Sequence, residues 1–263
     1  MWPWILSIGL LSYSIFRKQP KPIQILITPT TIPKQVLCFS NNHWNNAYLF
    51  GVAKFIQEYL DTSLFDFKGI SFGSMVVMAL EFNVPIESIY QSMCELYHSN
   101  RYYFIWNYYR RYNQFINQWF KHQPLTHSSY WVLQNSSHFI EISNIFPKEL
   151  LSLSYGLPFP SIFPRKMKNY GYVKDCYWNP PDIHETYICL TDSSSFPTPI
   201  ELQLKSWFHP PSKEHLDILY EIGYYNAFLF FHQPSWFHYF KNPPQLSHLR
   251  EKTKHVEELI QRL

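Results

Sequence analysis

Glycine is scarce in this chain. There are 7 glycines among 263 residues, whereas an average chain of this length carries roughly 18. A protein needs glycine where the backbone takes a positive φ or where another segment approaches too closely for a Cβ atom. The sequence has no glycine-rich phosphate-binding loop. The few glycines that remain therefore indicate places where the backbone turns sharply or packs closely.

Charge and cysteine are also limited. The net charge is +3, from 22 Lys+Arg and 19 Asp+Glu, which is too weakly basic to indicate a nucleic-acid partner. The cysteines are far apart and form no CxxC pair, so the sequence predicts reduced, mostly buried thiols, with no metal site and no disulfide framework. They are Cys38, Cys94, Cys176 and Cys189. No cofactor is predicted either.

Apolar and aromatic residues are abundant instead. Hydrophobic residues make up 46% of the chain and aromatic residues 19%, which predicts a folded core over most of the length. Residues 2–16 are apolar apart from three serines, and the first charge is Arg17. A secretory signal peptide has its charge before the apolar run, so this order argues against one.

The N-terminal run is at the short limit for a membrane-spanning helix. Its basic flank predicts that the rest of the chain stays on the cytoplasmic side. We therefore expect residues 1–22 to be a hydrophobic membrane anchor, helical over the apolar part, and residues 23–34 to be a linker. The alternative is a hydrophobic helix that lies on the domain or on the bilayer surface.

Residues 35–241 form the predicted domain. Its first part alternates between short buried apolar runs, at 35–39 and 65–70, and segments with helical spacing, at 47–60 and 73–82. Such βα alternation is typical of a parallel sheet with helices packed on it. The fold class predicted from the sequence is therefore α/β.

Two further segments have an amphipathic pattern. Residues 97–123 are rich in tyrosine, phenylalanine and tryptophan, and no acidic residue lies between Glu95 and Glu141. This pattern fits a helix at a bilayer interface, and it fits equally a helix packed on the domain with its arginine stems along the surface. Residues 242–263 have apolar positions at a spacing of three and four, which predicts an amphipathic helix docked against the domain.

A G-x-S-x-G motif carries the predicted chemistry. It reads Gly69-Ile70-Ser71-Phe72-Gly73 and lies between a predicted strand and a predicted helix, which is where a nucleophile elbow occurs. The hydroxyl group of Ser71 would then lie at a helix N-terminus, where developing negative charge is stabilised. The alternative is an ordinary strand-to-helix turn with Ser71 as a helix cap.

The order of motifs around this elbow resembles the patatin-like lipid acyl hydrolases. One strand, 36–40, leads into an asparagine-rich loop, 41–48, and then comes a helix and the elbow. The stretch Leu153-Ser154-Tyr155-Gly156-Leu157-Pro158 resembles the family's serine–proline segment. The stretch 172–180 resembles the family's strand and turn with the catalytic aspartate. An α/β-hydrolase would place several strands before its nucleophile, whereas in this chain one predicted strand precedes the strand of the elbow.

The resemblance implies a three-layer α/β/α domain with a mainly parallel central sheet. It also implies a Ser–Asp dyad in which Ser71 is the nucleophile and Asp175 its acid/base partner. The substrate would be a lipid ester at a membrane surface. The residues implied for the oxyanion loop are Asn41, Asn42, His43, Asn45 and Asn46, and those for the elbow are Gly69 and Gly73.

Two positions depart from the family's pattern. The family's loop has glycines and an arginine where this chain has asparagine and histidine. Aligning on Asn179-Pro180 puts Lys174 at the aspartate position and Asp175 one residue later, and a one-residue shift on a strand points a side chain to the opposite face. The sequence thus leaves open an active hydrolase, a Ser–Lys pair through Lys174, and a catalytically inactive membrane- or protein-binding module.

Overall fold

The structure is a computed structural model of the chain. It describes residues 34–39, 46–99, 105–120, 123–134, 138–153, 165–167, 169–174, 188–189 and 211–243, together with Lys254, Val256 and Glu258. The strands are β1 Gln35–Phe39, β2 Phe65–Ile70, β3 Leu125–Gln134, β4 His138–Ile145, β5 Arg165–Met167, β6 Gly171–Lys174 and β7 Ile188–Cys189. The helices are α1 Asn46–Tyr59, α2 Gly73–Glu81, α3 Ile86–Ser99, α4 Ile105–Trp119, α5 Pro147–Leu153 and α6 Lys213–Phe231, and 3-10 turns cover Thr62–Leu64 and Pro234–Tyr239.

The strands form one mixed sheet. Its order is β5-β6-β3-β2-β1-β7, and β4 pairs with β3 outside this path. The pairs β1–β2, β2–β3 and β1–β7 are parallel, whereas the pairs that involve β4, β5 and β6 are antiparallel. The predicted α/β class is therefore confirmed, with a parallel centre and an antiparallel edge.

The described helices lie on one face of the sheet. The chain runs from β1 through α1 to β2 and through α2 to β3 in one direction across the sheet, and right-handed crossovers then place both helices on the same face. We call this the helix face. Its strand side chains, including Leu37, Phe67 and Tyr130, share one core cluster with the helices. A second cluster on the opposite face consists of strand residues alone: Cys38, Ile70, Trp131, Leu133 and Phe139.

Helices α1 and α6 cross with their backbones in close contact. A Cβ atom at Gly51 would lie 1.9 Å from the carbonyl oxygen of Tyr220, and one at Gly223 would lie 2.0 Å from that of Tyr48. Both glycines are therefore needed for the close approach. Beside the crossing, the Asn226 amide donates a hydrogen bond to the Tyr48 hydroxyl (3.2 Å).

Both amphipathic segments have apolar side chains buried against the domain within the part of the chain that the structure describes. In α4, Tyr112, Phe115 and Ile116 are buried, while Arg110 and Arg111 are exposed. These side chains fit the packed helix and not the bilayer-interface helix. Near the C-terminus, three described positions are helical, and Val256 is buried in the main core. The rest of the segment 244–263 lies outside the described residues.

The predicted N-terminal anchor, residues 1–22, lies outside the described residues, as does nearly all of the predicted linker 23–34. Within the part of the chain that the structure describes, no helix has the length and apolar character needed to cross a membrane.

Candidate functional site

The G-x-S-x-G motif forms a sharp turn at the carboxyl end of a central strand. Strand β2 ends at Ile70 and α2 begins at Gly73, so that Ser71 and Phe72 make the connection. Strand β2 lies between β1 and β3, with which it pairs in parallel. In α/β sheets, ligands bind at the carboxyl ends of such strands.

Ser71 has an unfavourable backbone conformation. Three non-glycine residues of the described chain have a positive φ: Ser71 at 52°, Asn83 at 51° and Asn144 at 52°. Asparagine adopts the left-handed region with little strain, whereas other L-residues lose roughly 1–2 kcal/mol there. The residue type accounts for the positive φ at Asn83 and Asn144, but it does not account for the positive φ at Ser71. Strain of this kind concentrates at functional sites.

The elbow is also tightly packed. A Cβ atom at Gly69 would lie 2.7 Å from the Cα of Ser74 and 3.0 Å from its amide nitrogen. Real Cβ atoms do not approach backbone this closely, so glycine at this position lets the first turn of α2 fold directly back over β2. Gly73 is the first residue of that helix.

Ser71 lies where negative charge is stabilised. The residue is buried, with 7% of its surface exposed. Its carbonyl oxygen accepts a hydrogen bond from the Ser74 amide (3.1 Å), and the carbonyl of Phe72 accepts one from the Met75 amide (3.0 Å). The first turn of α2 contains no acidic residue. The helix therefore begins immediately after the serine, with its partial positive charge at this end.

A second strand ends beside the elbow. Strand β4 pairs with one edge of β3, while β2 and β6 both pair with the other edge. In β2, Ile70 pairs with Trp131, and in β6, Lys174 pairs with Leu133. The carboxyl ends of β2 and β6 thus meet two register positions apart, a distance of about 7 Å along β3.

The predicted site residues fall partly outside the described chain. Asp175 follows Lys174 directly but is not described, and neither are Asn41, Asn42, His43 and Asn45. Asn46 is described; it is the first residue of α1 and is buried. Because Phe39 pairs with Gly69, the loop that leaves β1 begins next to the elbow strand.

The carboxylates that contact the neighbouring strands have other partners. Glu81 lies at the far end of α2, where it accepts hydrogen bonds from the amides of Thr126 (2.7 Å) and His127 (3.1 Å). Glu141 on β4 forms an ion pair with Lys68 on β2, across β3 and on the second face. Burial, together with the charge of Glu81, raises the pKa of Tyr130 well above its ordinary value, so its hydroxyl stays protonated.

Sequence reasoning missed this ion pair. Its sequence signal is weak, because β2 contains both Asp66 and Lys68, and Lys68 and Glu141 are 73 positions apart in the chain. Comparisons of the chain with protein-family models, curated proteins and solved structures give no match. The function of the site must therefore be inferred from its geometry.

Proposed function

We propose that this chain is a patatin-like serine hydrolase that cleaves a carboxylic ester of a lipid. Ser71 is the nucleophile. The observation that carries the proposal is the positive φ of Ser71 between a parallel strand and a helix N-terminus. A sharp strand-to-helix turn with a strained serine is the geometry of a nucleophile elbow, and an ordinary helix cap has no need of it.

The proposed reaction is acyl transfer in two steps. The Ser71 oxygen attacks the ester carbonyl while its proton passes to the partner base, and the alcohol then leaves with that proton. Water next attacks the acyl-enzyme and releases the fatty acid, which regenerates the serine. During both steps the negatively charged oxygen is stabilised by backbone N–H groups, of which the amide of Phe72, directly after the nucleophile, is the first in an elbow.

Asp175 is the proposed base. Consecutive Cα atoms are about 3.8 Å apart. Asp175 follows Lys174, so it is one residue away from the point where the carboxyl ends of β6 and β2 meet. The described carboxylates Glu81, Glu141 and Asp66, on α2, β4 and β2, are already paired. The sequence therefore offers Asp175 closest to the elbow by chain connectivity, and an aspartate that faces a serine hydroxyl can accept its proton.

The loop after β1 is the proposed second part of the oxyanion site. It leaves the sheet next to Gly69, and its residues 41, 42, 45 and 46 are asparagines. Asparagine tolerates left-handed backbone, and its side-chain amide can donate a hydrogen bond in place of a backbone N–H group. The lipid substrate and a membrane location, with the bulk of the chain cytoplasmic, follow from the resemblance and from the apolar residues 1–16.

A second candidate is a catalytically inactive protein that keeps the elbow as a structural turn and binds a membrane or a protein. It is favoured by one observation, the absence of glycine from residues 40–46. Backbone oxyanion holes use glycine because their N–H groups need unusual dihedral angles, and the loss of one donor costs about a hundredfold to a thousandfold in rate.

Hydrolysis of a soluble 4-nitrophenyl ester separates the two candidates. We expect Ser71→Ala to reduce kcat/KM to the background rate and Asp175→Asn to reduce it by about a hundredfold or more. Lys174→Gln, the neighbouring substitution, and Ser74→Ala, in the first turn of α2, should each change the rate only a few-fold. A folded wild-type protein without hydrolysis, or equal rates in wild type and Ser71→Ala, would reject the enzyme.

A further inference from the structure

The hairpin β5–β6 lies beside the candidate site. Strand β6 continues the line of β2 along the same edge of β3, and β5 pairs with the opposite edge of β6. Strand β5 therefore lies beyond the carboxyl end of β1, on the same side of β6 as β1 is of β2. The hairpin thus lies at the same end of the sheet as Ser71.

This hairpin is strongly basic. Residues 165–174 contain Arg165, Lys166, Lys168 and Lys174 and no acidic residue. Four positive charges in ten residues exceed the net charge of the whole chain, which is +3. A concentration of one sign of charge beside a site favours ligands of the opposite sign.

One face of the hairpin is fixed in the protein and the other is open. Val173 is fully buried and Met167 packs against the main core. The Gln134 amide donates a hydrogen bond to the carbonyl of Tyr170 (2.7 Å), which holds the turn to β3. Lys166 and Tyr172 are directly opposite each other, and both are exposed, Tyr172 by 56%. The exposure is therefore not the result of a loosely attached hairpin.

An exposed tyrosine and lysine side by side suit a lipid head-group region. The tyrosine ring has an apolar body and a polar tip, and lysine keeps its ammonium group in the aqueous layer. Tyr172 lies two residues before the end of β6, so its Cα is roughly 10–14 Å from the elbow along the strand direction. That separation places the pair beside the reacting ester and leaves the elbow itself uncovered.

We infer that Lys166 and Tyr172 bind the anionic head group of a lipid ester whose acyl carbonyl is at Ser71. This assignment rests on the proposed function and extends it, since it selects anionic lipids over zwitterionic ones. The phosphate of such a lipid accepts a charge-assisted hydrogen bond from the Lys166 ammonium group.

The test measures binding in a protein that cannot turn over. The full chain with Ser71→Ala is mixed with vesicles of phosphatidylglycerol and phosphatidylcholine, or of phosphatidylcholine alone, and co-sedimentation gives the affinity. Each basic residue near an anionic surface contributes about 1 kcal/mol. Lys166→Glu changes the charge by two units, so its affinity for anionic vesicles should fall about thirtyfold. Tyr172→Ser should also weaken binding.

Lys148→Glu is the matched control, because Lys148 is an exposed lysine on α5. It should bind as the parent does. Equal losses in Lys166→Glu and Lys148→Glu, or equal binding to both kinds of vesicle, would overturn the inference. A selective loss in Lys166→Glu supports it even if the wild type hydrolyses no ester, and in that case the proposed catalytic function alone would fail.

Discussion

Two places in this molecule depend on glycine for a close backbone approach, and they differ in what surrounds the contact. At the crossing of α1 and α6, Gly51 and Gly223 each lie against a carbonyl oxygen of the other helix. At the elbow, Gly69 lies against the backbone of Ser74. Only the elbow has an adjoining non-glycine residue with a positive φ, which is Ser71.

The difference separates packing from function. Helices that cross closely gain van der Waals contact across the interface, and this accounts fully for the glycines of the crossing. At the elbow, packing accounts for Gly69 but not for a serine in a conformation that glycine or asparagine would adopt with less strain. The presence of a serine at this strained position is what indicates that its hydroxyl group is used.

The largest effect is expected at the crossing. Gly51→Ala and Gly223→Ala would place a Cβ atom about 2 Å from a backbone oxygen, so the helices must separate. We expect each variant to lose about 3 kcal/mol or more of unfolding free energy in urea denaturation. The rate of ester hydrolysis per folded molecule should remain near that of wild type. A loss below about 1 kcal/mol would show that the crossing adapts easily.

Gly69→Ala should have a smaller effect on stability and a larger one on the site. Its Cβ atom would lie 2.7 Å from the Cα of Ser74, a less severe clash than those at the crossing. We expect a loss of about 1–3 kcal/mol, together with a fall in kcat/KM beyond what the unfolded fraction explains, because α2 must move away from Ser71. An unchanged kcat/KM in the folded variant would show that the close packing at Gly69 is not needed for catalysis.

The strain at Ser71 gives a still smaller, but more specific, difference. Ser71→Gly and Ser71→Ala both remove the hydroxyl group, but only glycine relieves the positive φ. Ser71→Gly should therefore be more stable than Ser71→Ala by about 1 kcal/mol. Asn83→Gly is the control, since Asn83 has a φ of 51° and asparagine is little strained there, so the gain should be smaller. Equal stability of the two Ser71 variants would contradict the strain.

The helices around the crossing should also be sensitive to alkaline pH. Burial raises the pKa of the Cys94 thiol from 9.0 to about 11, and burial likewise raises the pKa of Tyr90 and Tyr220 above their ordinary values. A raised pKa means that each of these groups keeps its proton to a higher pH in the folded protein than in the unfolded protein. Stability is therefore complete below pH 9 and falls as the pH rises towards 11. Denaturation midpoints measured from pH 8 to 11 should show this fall, and Cys94→Ala should reduce it.

Local patterns predicted the strands and helices around Ser71 well. The apolar runs predicted strands over 35–39 and 65–70, and the structure has β1 and β2 over the same ranges. The G-x-S-x-G motif predicted a turn at Ser71 because strand, small residues and helix are neighbours in sequence. The helix ends differ by one residue, as at α1, which begins at Asn46 and not Ala47.

Long-range pairing was not predictable in the same way. The meeting of β2 and β6 depends on the register of both strands with β3, and no local pattern encodes a register between segments so far apart. The same holds for Gly51 against Tyr220 and for Lys68 with Glu141. The basic composition of residues 165–174 is visible in the sequence, but its position beside the elbow emerges only from the sheet.

Labelling with a fluorophosphonate probe, followed by mass spectrometry of the labelled peptide, tests the central claim that Ser71 is an activated nucleophile. The probe reacts with serines whose hydroxyl group is deprotonated by a partner and whose adduct is stabilised by an oxyanion site. We predict a label on Ser71 in wild type, an equal label in Ser74→Ala, and none in Ser71→Ala. A correctly folded wild-type protein that takes up no label, or a label that persists in Ser71→Ala, would contradict the account.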